Sequence, residues 1–146
     1  MRKLLKAAAA YAAAAIICGV FDREFTKWND FTGVTPLAYV HVHLFVFGML
    51  LFLILASLAR DSGLEGKRAF KAFFIIHNIA LPWTAALMLT RGILAVEQTA
   101  LSHGADVALS FLAGLGHLGL TVGLVFLFLA LFQVWGQKGS PEKKPE

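Results

Sequence analysis

Four apolar stretches, from about Leu4 to Phe21, Leu37 to Ala59, Ala69 to Thr90 and Val107 to Trp135, decide what this chain can fold into. Each is close to the roughly 20 residues a helix needs to cross a bilayer. Inside hydrocarbon every backbone N–H and C=O must find a partner within the protein, so stretches of this length become helices. The expected fold is an all-α, integral membrane four-helix bundle over residues 1–135. Residues 136–146, with Pro141, Pro145 and alternating charges, read as a disordered tail. The composition agrees: 58% of the 146 residues are hydrophobic and 15% charged, against about a quarter charged in a soluble domain.

The charges lie where topology signals lie. Thirteen Lys and Arg against nine Asp and Glu give a net charge of +4, a value that would also suit a nucleic-acid binder, but they flank the apolar runs. Arg2, Lys3 and Lys6 precede the first span; Arg60, Lys67, Arg68 and Lys71 separate the second and third; Lys138, Lys143 and Lys144 follow the fourth. By the positive-inside rule that side is cytoplasmic, so both termini are expected inside and the 22–36 and 92–106 loops outside. The first segment also resembles a signal peptide, but its apolar run extends to Phe21, and an uncleaved helix keeps the charge pattern consistent across four spans. The loop after it carries Phe25, Trp28 and Phe31 among charges, as an interfacial segment does. Cys18 stands alone, so an intrachain disulfide, a paired-thiolate zinc site and covalent haem attachment through Cys-x-x-Cys-His are excluded.

Ionisable side chains within the spans are the candidate functional groups, because hydrocarbon makes them costly. A rise of about 1.5 Å per residue puts His43 roughly 9 Å and His41 roughly 12 Å outward of the centre of the second span, near Met49. His117 lies roughly 7 Å outward of the centre of the fourth, and His77 roughly 5 Å inward of the centre of the third. His41 and His43 are two residues apart, hence about 200° apart around a helix, and cannot both enter one small cavity. The pattern admits either as the inward one. His41 shares its face with Phe45, Gly48 and Phe52; His43 shares its face with Phe47, Leu50 and Ile54.

In the fourth span Ser110, Gly114, His117 and Thr121 form a stripe, flanked by Gly116, Gly119 and Gly123, which suit either close helix packing or the approach of a flat ligand. His77, Thr84 and Arg91 recur at intervals of seven, and Arg91 ends that stripe at the outer boundary. There it can pair with a propionate, or with Glu97 or Asp106, or simply snorkel. Pro82 cannot donate to the carbonyl of Asn78, so a kink is expected in the third helix. His103 belongs to the outer loop and is expected to be solvated. No Asp or Glu occurs within the spans, and no Walker loop, dinucleotide fingerprint or Ser-His-acid set is present. Several imidazoles without carboxylates suit haem iron or copper better than hard cations.

Two resemblances bear on these residues. The pieces Gly19-Val-Phe, Arg23-Glu-Phe-Thr-Lys, Phe31-Thr-Gly, the His-x-His-Leu run from His41 with Gly48-Met49, Arg91-Gly92 and Gly114-Leu-Gly-His117 resemble a prokaryotic family of four-helix membrane proteins classed as a domain of unknown function. That likeness covers nearly the whole chain and implies the cytoplasmic membrane of a prokaryote. About ten residues around the same His-x-His-Leu run resemble a haem-bearing helix in the catalytic subunit of haem-copper oxidases and nitric oxide reductases. This second likeness implies a b-type haem held by His41 or His43, and by His117, in a chain corresponding to one arc of four helices that assembles as a trimer. The chain lacks the paired-histidine copper motif and the cross-linking tyrosine helix of those subunits, which argues against oxygen reduction.

The expectation is therefore a membrane haem b protein for electron transfer or gas binding. His43 and His117 are the most level axial pair, with His41 as the alternate and Arg91 as propionate partner. The alternatives are a copper or other metal site drawn from His41, His43, His77 and His117, with His103 in reach, and an accessory membrane subunit whose histidines serve packing.

Overall fold

The computed structural model describes residues 1–136; of the expected tail only Gly136 falls within them. The described residues form four long helices: α1 (Arg2–Trp28), α2 (Leu37–Leu58), α3 (Arg68–Val96) and α4 (His103–Trp135). All four are long and apolar enough to cross a membrane. Three reach further than the apolar runs alone predicted. α1 continues through the charged segment to Trp28, α3 runs on to Val96, and α4 begins at His103. A helix conserves its backbone hydrogen bonds past the hydrocarbon boundary, whereas hydropathy records only the boundary.

Each helix buries a narrow stripe. α1 turns in Leu4, Ala8, Tyr11 and Ala15, and α4 turns in Gly116, Leu120, Gly123, Leu127, Ala130 and Val134. Alternating steps of three and four keep one face of each toward its neighbour. α3 is the central helix and buries two adjoining stripes, one through Phe70, Phe73, His77 and Thr84 and another through Leu81, Ala85, Gly92 and Val96. It carries α4 along one side and α2 along the other, while α1 lies against α2. The order 1-2-3-4 is an antiparallel array with lateral grooves. α3 stays helical through Pro82.

α2 departs from a regular helix. Leu37–His43 and Leu51–Leu58 are α-helical, but Leu44–Leu50 forms a π-helical segment, in which hydrogen bonds close five residues apart. The buried positions Val40, Leu44, Gly48 and Phe52 follow at steps of four. In an α-helix such steps drift by about 40° each; the wider π turn keeps them aligned. At Gly48 a Cβ would come within 2.5 Å of Tyr11 Cγ, so glycine lets α1 seat directly on the π segment. Phe52 then stacks on Tyr11 and meets Phe73 and Phe74 of α3.

Short connections hold the ends. Thr35 is buried and its hydroxyl accepts the backbone N–H of Leu37 at the start of α2. The α2–α3 turn uses Gly63 at φ 69° and buries Leu64, while Glu65 pairs with the amino group of Met1. α4 is capped by the hydroxyl of Ser102, which accepts from the backbone of Ala105.

Candidate functional site

The two histidines of α2 diverge as a helix requires. His41 turns to α1, where the position of a Cβ on Gly19 would lie 3.5 Å from its ring, and its Nδ1 is buried without a partner. His43 turns the other way and meets His117 of α4, their ring centroids 6.4 Å apart and the ring planes at 89°. Of the two candidates left open by spacing, His43 is the one that shares a depth and a cavity with His117.

Both imidazoles are set the same way. His43 Nδ1 lies 2.9 Å from the Tyr39 carbonyl and His117 Nδ1 lies 2.9 Å from the Ala113 carbonyl, each four residues earlier in its own helix. A carbonyl only accepts, so each Nδ1 is the donor, which in the neutral ring leaves the lone pair on Nε2. Histidines that ligate metals are commonly oriented in this way, one nitrogen donating to a backbone carbonyl while the other ligates. The acceptors in this arrangement are main-chain carbonyls, so no side-chain motif announced it.

The pair lines a cleft of about 460 Å³ between α2 and α4, bordered by Leu87 and Met88 of α3 and, at the N-terminal end of α2, by Val34, Thr35 and Pro36. Its walls are mainly apolar, and its size falls within the usual range of ligand sites. Arg91 stands at the outer rim. One terminal nitrogen of Arg91 donates to the Asp106 carboxylate at 2.6 Å and to the Ser110 hydroxyl at 2.8 Å. The expected alternatives for Arg91 thus divide: it pairs with Asp106, not with Glu97, and it borders the histidine cleft. Among the described residues the hydrogen bonds of Arg91 all use that one nitrogen, which leaves the other donors of the guanidinium fork for an anion. His103 is exposed at the start of α4, in an outer vestibule of about 490 Å³ that also includes Arg91, Thr99 and Asp106.

His77 is elsewhere. It is fully buried between Phe52 and Phe73, and its Nε2 lies 2.8 Å from the carbonyl of Phe47. His41, His43, His77 and His117 therefore do not converge on one centre. Among the described residues no group of three or more His, Cys, Asp or Glu comes together to hold a bare metal ion. The glycines of α4 resolve into packing positions, with Gly116 against Thr84, Gly119 against Ala80 and Gly123 against His77; open space surrounds Gly114. Cys18 is half-buried in a second groove, between α1 and α3, where the Tyr11 hydroxyl donates to Asn78 Oδ1 at 3.0 Å.

A family described as "Protein of unknown function (DUF2871)" matches residues 1–134. The chain belongs to that family. The match spans all four helices and every histidine discussed above, and the four-helix architecture fits it. No curated protein and no solved structure matches the chain.

Proposed function

We propose that this DUF2871 member is a membrane haem b protein serving electron transfer or gas binding, with His43 and His117 as its axial ligands. The observation that carries the reading is the pair of imidazoles lining one apolar cleft, each with Nδ1 tied to its own helix. Ring nitrogens about 2 Å from a shared ion put the two centroids about 6 Å apart, close to the 6.4 Å between these rings. A bare metal ion asks for more ligands than two imidazoles supply, whereas haem iron brings four nitrogens of its own and needs only the axial pair. When bound, haem supplies reversible one-electron chemistry and an iron centre at which small gases can bind. The chain's residues do the rest. Leu87 and Met88 exclude water, and the Tyr39 and Ala113 carbonyls fix the tautomers. Arg91 offers its unused donors to a propionate at the outer rim. The charge pattern supports a cytoplasmic membrane with both termini inside.

The test is the optical spectrum and elemental analysis of protein purified in mild detergent from haem-replete cells. The expected result is a Soret band with redox-sensitive α and β bands. Replacing His43 or His117 with Ala should abolish the low-spin spectrum or lose the haem, and replacing His103 should change neither. A colourless, metal-free preparation that stays colourless after haem is added overturns the proposal and leaves the accessory-subunit reading.

A further inference from the structure

We infer that His77 is a positioning residue: by donating to the Phe47 carbonyl it clamps the π-helical segment of α2, and that segment aims His43 at His117. One α-helical hydrogen bond is missing from α2. In an α-helix the Phe47 carbonyl would accept the N–H of Leu51. Here the Leu51 N–H turns to the carbonyls of Val46 and Gly48, and the Phe47 carbonyl takes His77 Nε2 at 2.8 Å instead. A backbone carbonyl in an apolar interior demands a donor. His77 is the donor, which fixes its own tautomer with the proton on Nε2. Its ring is held by Phe52 and Phe73, and its orphan Nδ1 rests near Gly123 of α4. An imidazole so placed has no nitrogen directed at the histidine cleft, and its burial serves α2.

The consequence for the site is angular. A π segment holds one residue more than the α turns it replaces. If Leu44–Leu50 returned to α geometry while Phe52, Leu55 and Ala56 kept their places in the core, the outer part of α2 would rotate by about 100°. His41 and His43 are about 200° apart, so neither would then face His117 as His43 does now. The inference concerns helix geometry and rests on the haem reading only for its last readout.

The chain contains a single Phe-Gly step, Phe47-Gly48, so labelling Phe at the carbonyl carbon and Gly at nitrogen gives one NMR correlation that reports the Phe47 carbonyl. His77→Leu should shift that signal upfield, and His77→Gln, whose amide can still donate, should keep it near the wild-type position. In a Cys18→Ala background, His43→Cys and His117→Cys should be bridged by a short bis-maleimide, read as fragments that stay joined after trypsin. Bridging should fall several-fold with His77→Leu and recover with His77→Gln. An unmoved carbonyl signal or undiminished bridging in His77→Leu overturns the clamp, as does a His77→Gln protein that fails as fully as His77→Leu. If the wild type binds haem, His77→Leu should also lose the low-spin spectrum. A wild type that binds none sinks the haem reading but leaves the carbonyl and cross-linking results to decide the clamp.

Discussion

Single residues set how closely these helices approach, and the glycines separate into those that must be glycine and those that need not. A Cβ on Gly92 would lie 2.5 Å from Leu37 Cβ and 2.6 Å from its backbone nitrogen, and one on Gly48 would lie 2.5 Å from Tyr11 Cγ. Neither neighbour can swing away, since one contact is main chain and the other lies at the root of a buried side chain. On Gly123 the nearest atom, in His77, would be 3.6 Å away, which is ordinary contact. Gly92→Ala and Gly48→Ala should each destabilise by about 1–3 kcal/mol or more through overpacking, whereas Gly123→Ala should be close to neutral. Thermal aggregation of the three variants in one detergent checks the ranking; equal losses would show that the tight approaches relax freely. The sequence made the divergence of His41 and His43 legible, because that follows from helix geometry alone. Which of them faces α4 was not legible. It depends on the rotation of α2 about its axis, which hydropathy does not determine in a helix apolar on every side.

At the scale of the element, α2 shows what a pattern can carry when its period is read closely. Val40, Leu44, Gly48 and Phe52 are buried at steps of four, a spacing that suits a π turn and drifts off the face of an α-helix. Burial data are needed to see it, since Phe45, Met49 and Leu53 are as apolar as the residues turned inward. The π segment also makes a prediction of its own. Val46 is 44% exposed on the outer face, so deleting it removes no core contact. The deletion leaves Leu44–Leu50 one residue shorter, and an α-helix then fits the same end points with the Leu51 N–H returned to an α-helical partner. His43 should keep its aim without the clamp. The deletion combined with His77→Leu should therefore restore bis-maleimide bridging to within about twofold of wild type. If bridging stays as low as in His77→Leu alone, the extra residue is not what sets the rotation of α2. The helix ends were harder to foresee than the spans. The continuations of α1 through a charged segment to Trp28 and of α3 past Arg91 to Val96 are governed by backbone hydrogen bonds, which a charged residue does not interrupt.

For the whole molecule, the short antiparallel connections collect charge at the two ends unequally. Arg2, Lys3, Lys6, Arg60, Lys67, Arg68 and Lys71 share one end, where Met1 and Glu65 meet; Arg23, Lys27 and Arg91 belong to the other. Lys3 extends over the ring of Phe74, 5.2 Å from its centroid, as a boundary lysine does when its stem lies in apolar surroundings. Lys138, Lys143 and Lys144 lie outside the described residues, but the direction of α4 assigns its C-terminal end to the same side as Met1. A positive-inside bias of this size supports the proposed orientation, with that end in the cytoplasm. In that orientation the His43 and His117 cleft, bounded by Pro36 and Arg91, would open in the outer leaflet. Under the proposed function, an electron partner would then reach it from the outer side or through the membrane. A reporter fused at Glu146 should be active only as a cytoplasmic reporter, and one inserted between Gln98 and Ser102 only as an external one. If the Glu146 fusion reports outside, the array is inverted and the histidine cleft belongs to the inner leaflet, within reach of soluble cytoplasmic donors. The internal geometry of the cleft would be unchanged, because it is set by the packing of α2, α3 and α4 and not by the direction in which they cross.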